Sequence, residues 1–206
     1  MYYVLLLKKP KLKKTETMTT FEEEVQKTVD CLKAGKTILY PTDTIWGIGC
    51  DATNSRACSK VYEAKQRPND KSLIVLVDSV ERLCDYVVDI PPIAYDLINH
   101  AINPLSIIYP ESKNLAKNIS SDKTVCIRVV NHDFCREVIQ QLGEPITSTS
   151  ANLSGQPTAR TFKDISEEVK NAVDYTVQLY HDILSNPKSS TIIRLHDDNT
   201  FDIIRP

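Results

Sequence analysis

From Phe21 the apolar residues Val25, Val29 and Leu32 recur at helical spacing. Thr20 stands as an N-cap with Glu23 three residues on, a capping box, and Gly35 marks the end of the helix. The segment 36–41, KTILYP, predicts a strand. Asn54 or Ser55 caps a second helix predicted to run to about Arg67, where Pro68 stops it. SLIVLV (72–77) is a continuous apolar run, the pattern of a strand buried on both faces. A helix is predicted after Pro92, through Ala94, Leu97 and Ile98. LSIIY (105–109) and TVCIRVV (124–130) predict strands, and 132–142 a helix ending at Gly143. PITSTS (145–150) reads as a strand, 161–170 as a helix, and 175–179, 191–195 and 201–204 as short closing strands. Helices and strands alternate without an internal repeat. That order predicts an α/β fold, a single domain with a twisted, mixed sheet flanked by helices.

Composition narrows the class. The chain has 206 residues, 41% hydrophobic and 25% charged, with a formal net charge of -2. This is an ordinary globular balance and excludes a uniformly basic nucleic-acid coat. The six cysteines follow no C-x-x-C spacing and read as reduced core residues, which argues against a zinc site or a disulfide framework. No stretch approaches the roughly 18 apolar residues of a membrane span. Residues 1–17, with five lysines between Lys8 and Lys14, read as an N-terminal basic arm, and 18–206 as the domain. The four histidines fall in contexts that read as surface, and no metal-ligand cluster is expected.

AGKT (34–37) imitates the end of a phosphate-binding loop, but Asp30 stands where the first glycine belongs and the helix precedes the strand. Four other stretches carry candidate chemistry. YPTDTIWGIGCDA (40–52) ends a strand with Thr42, Asp43 and Thr44, where α/β sheets gather ligands. A strand, a turn and a return strand with Trp46 in the core explains the same residues. EAKQRPNDKSL (63–73) places Lys65, Arg67 and Lys71 before a buried strand, as helix-end cations or as an anion clamp. STSANLSG (148–155) offers hydroxyls and an amide without charge, to bond phosphate and ribose or only their own backbone. Arg128 lies within an apolar strand and needs either a protein carboxylate or an anionic ligand. Cations and hydroxyls, without a nucleophile–histidine pair, suit chemistry by charge neutralisation and positioning.

YPTDTIWGIGCDA, AKQRPNDKSLIVLV, VCIRVV, STSANLSGQPT, SSTII and the terminal IIRP, in this order, resemble the blocks of the YrdC-like (TsaC-type) threonylcarbamoyl-AMP synthase family. The likeness spans Phe21 to Pro206. It implies an α/β fold with a concave basic groove. It also implies a cytoplasmic enzyme that joins L-threonine, bicarbonate and ATP, with Mg²⁺, into threonylcarbamoyl-AMP and pyrophosphate. A threonylcarbamoyl transferase complex is the implied partner, passing the group to the tRNA adenosine beside the anticodon. By the resemblance, Lys65 and Arg67 are catalytic cations. Thr44, Thr124, Arg128, Ser148 and Thr191 are the implied threonine contacts. Arg67, Lys71, Ser150, Asn152, Thr158 and Arg205 are the implied ATP contacts. Leu76 stands where many relatives carry histidine, and Ile102-Asn103-Pro104 where they carry a Pro-Gly-Pro turn. A non-catalytic module binding tRNA or double-stranded RNA in the same groove is the competing expectation.

Overall fold

Alternation along the strands sends side chains to two opposite faces, and each face builds its own core. The computed structural model describes residues 19–66, 72–182, 188–196 and 198–206. In chain order the elements begin with α1 (Phe21–Lys33), β1 (Ile38–Tyr40), β2 (Gly47–Gly49), α2 (Ser55–Ala64) and β3 (Ile74–Val77). Next come α3 (Leu83–Tyr86), α4 (Ile93–His100), β4 (Leu105–Tyr109), β5 (Val125–Val129), α5 (Asp133–Leu142) and β6 (Ile146–Ser150). The chain continues through α6 (Glu167–Asn171), β7 (Tyr175–Thr176), β8 (Thr191–Leu195) and β9 (Phe201–Arg205). Among the described residues the strands form one mixed sheet in the order β7-β1-β2-β6-β3-β5-β4-β8-β9. The pairs β1–β7, β3–β5 and β4–β8 are parallel and the others antiparallel.

Ile38, Tyr40, Leu76 and Ile146 pack with Val25, Val29 and Leu32 of α1 and with Phe134, Val138 and Ile139 of α5. Leu39, Val75, Val77, Ile107 and Ile127 face the other way, onto α2 through Ala57, Val61 and Tyr62 and onto α3 and α4. Leu76 is therefore a core residue, fully buried against α1 and α5. Burial of such a side chain is worth about 1.5–3 kcal/mol. α1 begins with the expected capping box of Thr20 and Glu23, and α5 ends at Gly143 with φ +81°.

The glycine pair of WGIGC has a steric cause. β2 runs between β1 and β6 so closely that a Cβ on Gly49 would lie 2.0 Å from the Thr147 carbonyl oxygen. Tyr40 closes the same crossing, its hydroxyl donating to Thr147 O at 2.8 Å. The strand, turn and return strand with Trp46 in the core is what forms: Trp46 is 2% exposed.

Several elements differ from the sequence expectation. α2 ends at Ala64, because Lys65 caps it and Gln66 turns left-handed with φ +48°. The predicted helix 161–170 is two pieces, a 3₁₀ turn Phe162–Asp164 and α6. Thr161 caps the first, and Ser166, whose Oγ accepts from Val169 N, restarts the second after extended Ile165. The strand predicted at 175–179 covers only two residues, and α3 was not anticipated. Three histidines are less exposed than expected: His132, His181 and His196 are half-buried, and His181 stacks on Phe162 with centroids 3.6 Å apart. Cys50, Cys58, Cys126 and Cys135 are buried free thiols, whereas Cys31 is half-buried and Cys84 exposed. The expected arm at 1–17 lies outside the described residues.

Candidate functional site

The face that α1 and α5 cover is only partly covered. Register pairs Leu76 with Arg128 and with Ile146, and Ile74 with Cys126 and Ser148, so these side chains share that face. Beyond the helices the face opens into a cleft of about 260 Å³. Thr44 enters it from the turn after β1, Arg128 from β5, Ser148 and Ser150 from β6, and Thr158 from the loop that follows. Arg205 reaches it from the far end of β9. These six were among the residues singled out from the sequence.

Each is held by local chemistry. Thr42 Oγ1 donates to Ile45 O at 2.7 Å, which commits its proton. Thr44 Oγ1, 2.9 Å away, therefore donates to Thr42 and turns its lone pairs to the cleft. Gly47 is the register partner of Ser150, and a Cβ on Gly47 would come within 3.0 Å of Ser148 Oγ, so the glycine keeps the hydroxyls uncovered. Arg205 donates through Nε and Nη2 to Ser190 O at 3.0 and 2.8 Å, and Ser190 Oγ lies 2.7 Å from Ser106 Oγ. Burial, with the like charge of Arg128 adding to it, lowers the Arg205 guanidinium from its ordinary value. Burial also pushes the Cys126 thiol up to about 12, so this neighbour stays neutral.

Lys65 approaches from behind. It is 3% exposed, and its Nζ donates to the main-chain oxygens of Ser150 and Asn152, the latter at 2.7 Å. Ser154 N donates back to Lys65 O at 3.0 Å. The lysine thus ties the end of α2 to the loop after β6. Asn152 serves the same loop, its amide donating to Leu153 O and Gln156 O at 2.9 and 2.6 Å.

Three expected contacts do not line this cleft. Thr124 lies four residues before Arg128 on β5, borders a separate cavity with Arg194 and His196, and donates to Asp122 at 2.6 Å. Thr191 faces a cavity against α4, because a strand alternates and its neighbours Ser190 and Ile192 take the cleft side. The Asn152 amide is turned into its own loop. Arg67 and Lys71 lie outside the described residues. Trp46, Ser72, Thr149, Ser189 and Ser190 line the cleft without having been singled out as contacts. The double serine of SSTII was the signal for the last two, read one residue out of phase.

The described lining carries two guanidiniums, many hydroxyls and no acidic side chain. Such a lining suits an anionic ligand that also presents hydroxyl or amide groups. Of the expected basic groove, the described lining displays these two cations, with Lys65 engaged behind them.

The family model Sua5/YciO/YrdC, described as telomere recombination, matches residues 30–206. The chain belongs to this family. A threonylcarbamoyl-AMP synthase of Pseudoalteromonas translucida is 34% identical over 168 residues, which cover 80% of this chain and 89% of that protein. Sua5 of P. abyssi, solved in complex with L-threonine, superposes with a TM-score of 0.74 at 26% identity. That match covers 85% of this chain, which spans 52% of the Sua5 chain. E. coli YciO shares the fold, with a TM-score of 0.77 at 24% identity over 90% of this chain and 89% of its own. The mixed α/β architecture is thus that of the Sua5/YciO/YrdC family, and relatives of this chain are enzymes by name.

Proposed function

We propose that this family member is an L-threonylcarbamoyladenylate synthase, a nucleotidyltransferase that uses ATP. The observation that carries the reading is the acid-free cleft where Arg128 and Arg205 meet the hydroxyls of Thr44, Ser148, Ser150 and Thr158. The names of the curated relatives and the threonine complex of Sua5 support it.

In this reading the threonine amine adds to CO2 derived from bicarbonate and releases a proton. The resulting carbamate oxygen attacks the α-phosphorus of ATP. The bond to the bridging oxygen breaks, and pyrophosphate leaves with the electron pair. Arg128 holds the amino-acid carboxylate, with Thr44 accepting and Ser148 beside it. Ser150, Thr158 and Arg205 face the nucleotide, and Arg67 and Lys71, by sequence, offset charge on the phosphates. Lys65 keeps Ser150 in place from behind while adding its charge to that wall. Such fixed donors typically lower the barrier by several kcal/mol. The described lining offers hydroxyls and no carboxylate, so Mg²⁺ is proposed to enter bound to the triphosphate.

A threonylcarbamoyl transferase acting on tRNA would consume the product, since a mixed anhydride of this kind hydrolyses unless it is passed on. That partner and a cytoplasmic setting belong to the proposal; among the described residues no helix is long and apolar enough to cross a membrane. A non-catalytic RNA-binding module is not favoured, because the relatives carry an enzyme's name. The test is product analysis after incubation with ATP, threonine and ¹³C-bicarbonate. Threonylcarbamoyl-AMP bearing one ¹³C is expected. AMP and pyrophosphate formed at the same rate without threonine, with no labelled product, would contradict the assignment.

A further inference from the structure

Arg128 is 3% exposed, and its Nη2 lies 3.2 Å from Oδ1 of Asp43, a side chain 7% exposed. The other carboxylate oxygen, Oδ2, accepts from Asn131 N at 3.0 Å, so the main chain anchors the acid. The pair is close but not closed. Asp43 Oδ1 and Arg128 Nε and Nη2 have no hydrogen-bond partner among the described residues. A buried ion pair with unused donors and lone pairs is a poor device for stability, because desolvation of both charges offsets their attraction. What it does supply is a guanidinium held at a fixed place with donors to spare.

Charge points the same way. Arg128 and Arg205 line one cleft whose described lining has no acid. Asp43 offsets one of these two charges from outside that lining. Its own position is on the wall of a second cavity of about 550 Å³, shared with Asn131 and Arg136. What Asp43 leaves for a ligand is the unused donors of Arg128, Nε and Nη2.

We propose that Asp43 is a positioning residue that sets Arg128 to receive the carboxylate of the amino-acid substrate. The proposal rests on the synthase reading given above. Asp43 acts through Arg128 and does not touch the substrate. In its absence the guanidinium keeps its charge but loses its fixed orientation, and recognition of the carboxylate suffers before recognition of ATP does.

The test compares the full chain with Asp43→Asn, which keeps the acceptor for Asn131 N and removes the charge. Pyrophosphate release is titrated with threonine, with ATP, and with threoninol, an analogue without the carboxylate, as inhibitor. Loss of orientation should raise KM for threonine about tenfold or more. KM for ATP and the inhibition constant for threoninol should stay within about twofold, as expected where no shared partner is disturbed. A folded variant with unchanged threonine KM, or with both KM values raised alike, overturns the proposal. A wild-type protein without threonine-dependent turnover overturns the synthase reading first, and this inference with it. If Asp43→Asn does not fold, ¹⁵N spectra of wild-type Arg128 decide. Separate Nη resonances before threonine is added are expected of a held guanidinium, and averaged ones overturn it.

Discussion

Lys65 is the residue where sequence and structure differ most usefully. As a lysine near a helix end it reads as a mobile cation reaching for phosphate. In the fold it is buried, and its ammonium is spent on the carbonyls of Ser150 and Asn152. No sequence pattern reveals a bond to main-chain oxygen 85 residues away, because any residue type supplies that acceptor. Arg128 was easier to read, since a charge inside an apolar strand demands a partner, and Asp43 is that partner at 3.2 Å. Replacing Lys65 with methionine keeps the stem and removes the donor. Two half-buried carbonyls lose their partner, and the expected destabilisation is about 1–3 kcal/mol, with lowered turnover because Ser150 is released. A urea titration should give a lower midpoint at unchanged slope. An unchanged midpoint would mean that the lysine does not hold the loop.

At the scale of elements, long periodic runs were legible and breaks were not. α1, α5, β3 and β5 follow from their apolar spacing and their caps. The split at Ile165 and the short β7 depend on which of several Ser, Thr and Asp residues close a turn, and the sequence offers more candidates than the fold uses. β7 is fixed to β1 by one such residue. Asp174 accepts from Thr37 N and Oγ1 at 2.8 and 3.1 Å, while Thr37 Oγ1 accepts from Asp174 N at 3.1 Å. The Thr37 amide is the main cause that lowers the Asp174 carboxyl from its ordinary value. A folded-state value below the unfolded one adds stability above the unfolded pKa of about 3.9, and this is lost as pH falls through the folded pKa. Asp174→Asn keeps an acceptor but cannot titrate. Its stability should fall less than that of the wild type between neutral pH and about pH 3, read by urea titration at each pH. Equal acid sensitivity in both would contradict this account of the β1–β7 contact.

Across the whole molecule the site belongs to one face of one sheet. Its residues come from the turn after β1, from β5, from β6 and the loop that follows it, and from β8 and β9, and register aligns the strand residues although they are scattered along the chain. Residue types and approximate places were visible in the chain. What remained hidden was phase, as with Thr191 against Ser190, and position along a strand, as with Thr124 against Arg128. Leu76 shows the same limit, since only the packing of α1 and α5 makes it core rather than site. The account as a whole claims that this cleft brings an amino acid, a one-carbon unit and ATP together. Pyrophosphate release, followed with threonine and bicarbonate omitted in turn, tests that claim most directly. Release that needs both is the predicted result; release that continues without threonine would contradict it.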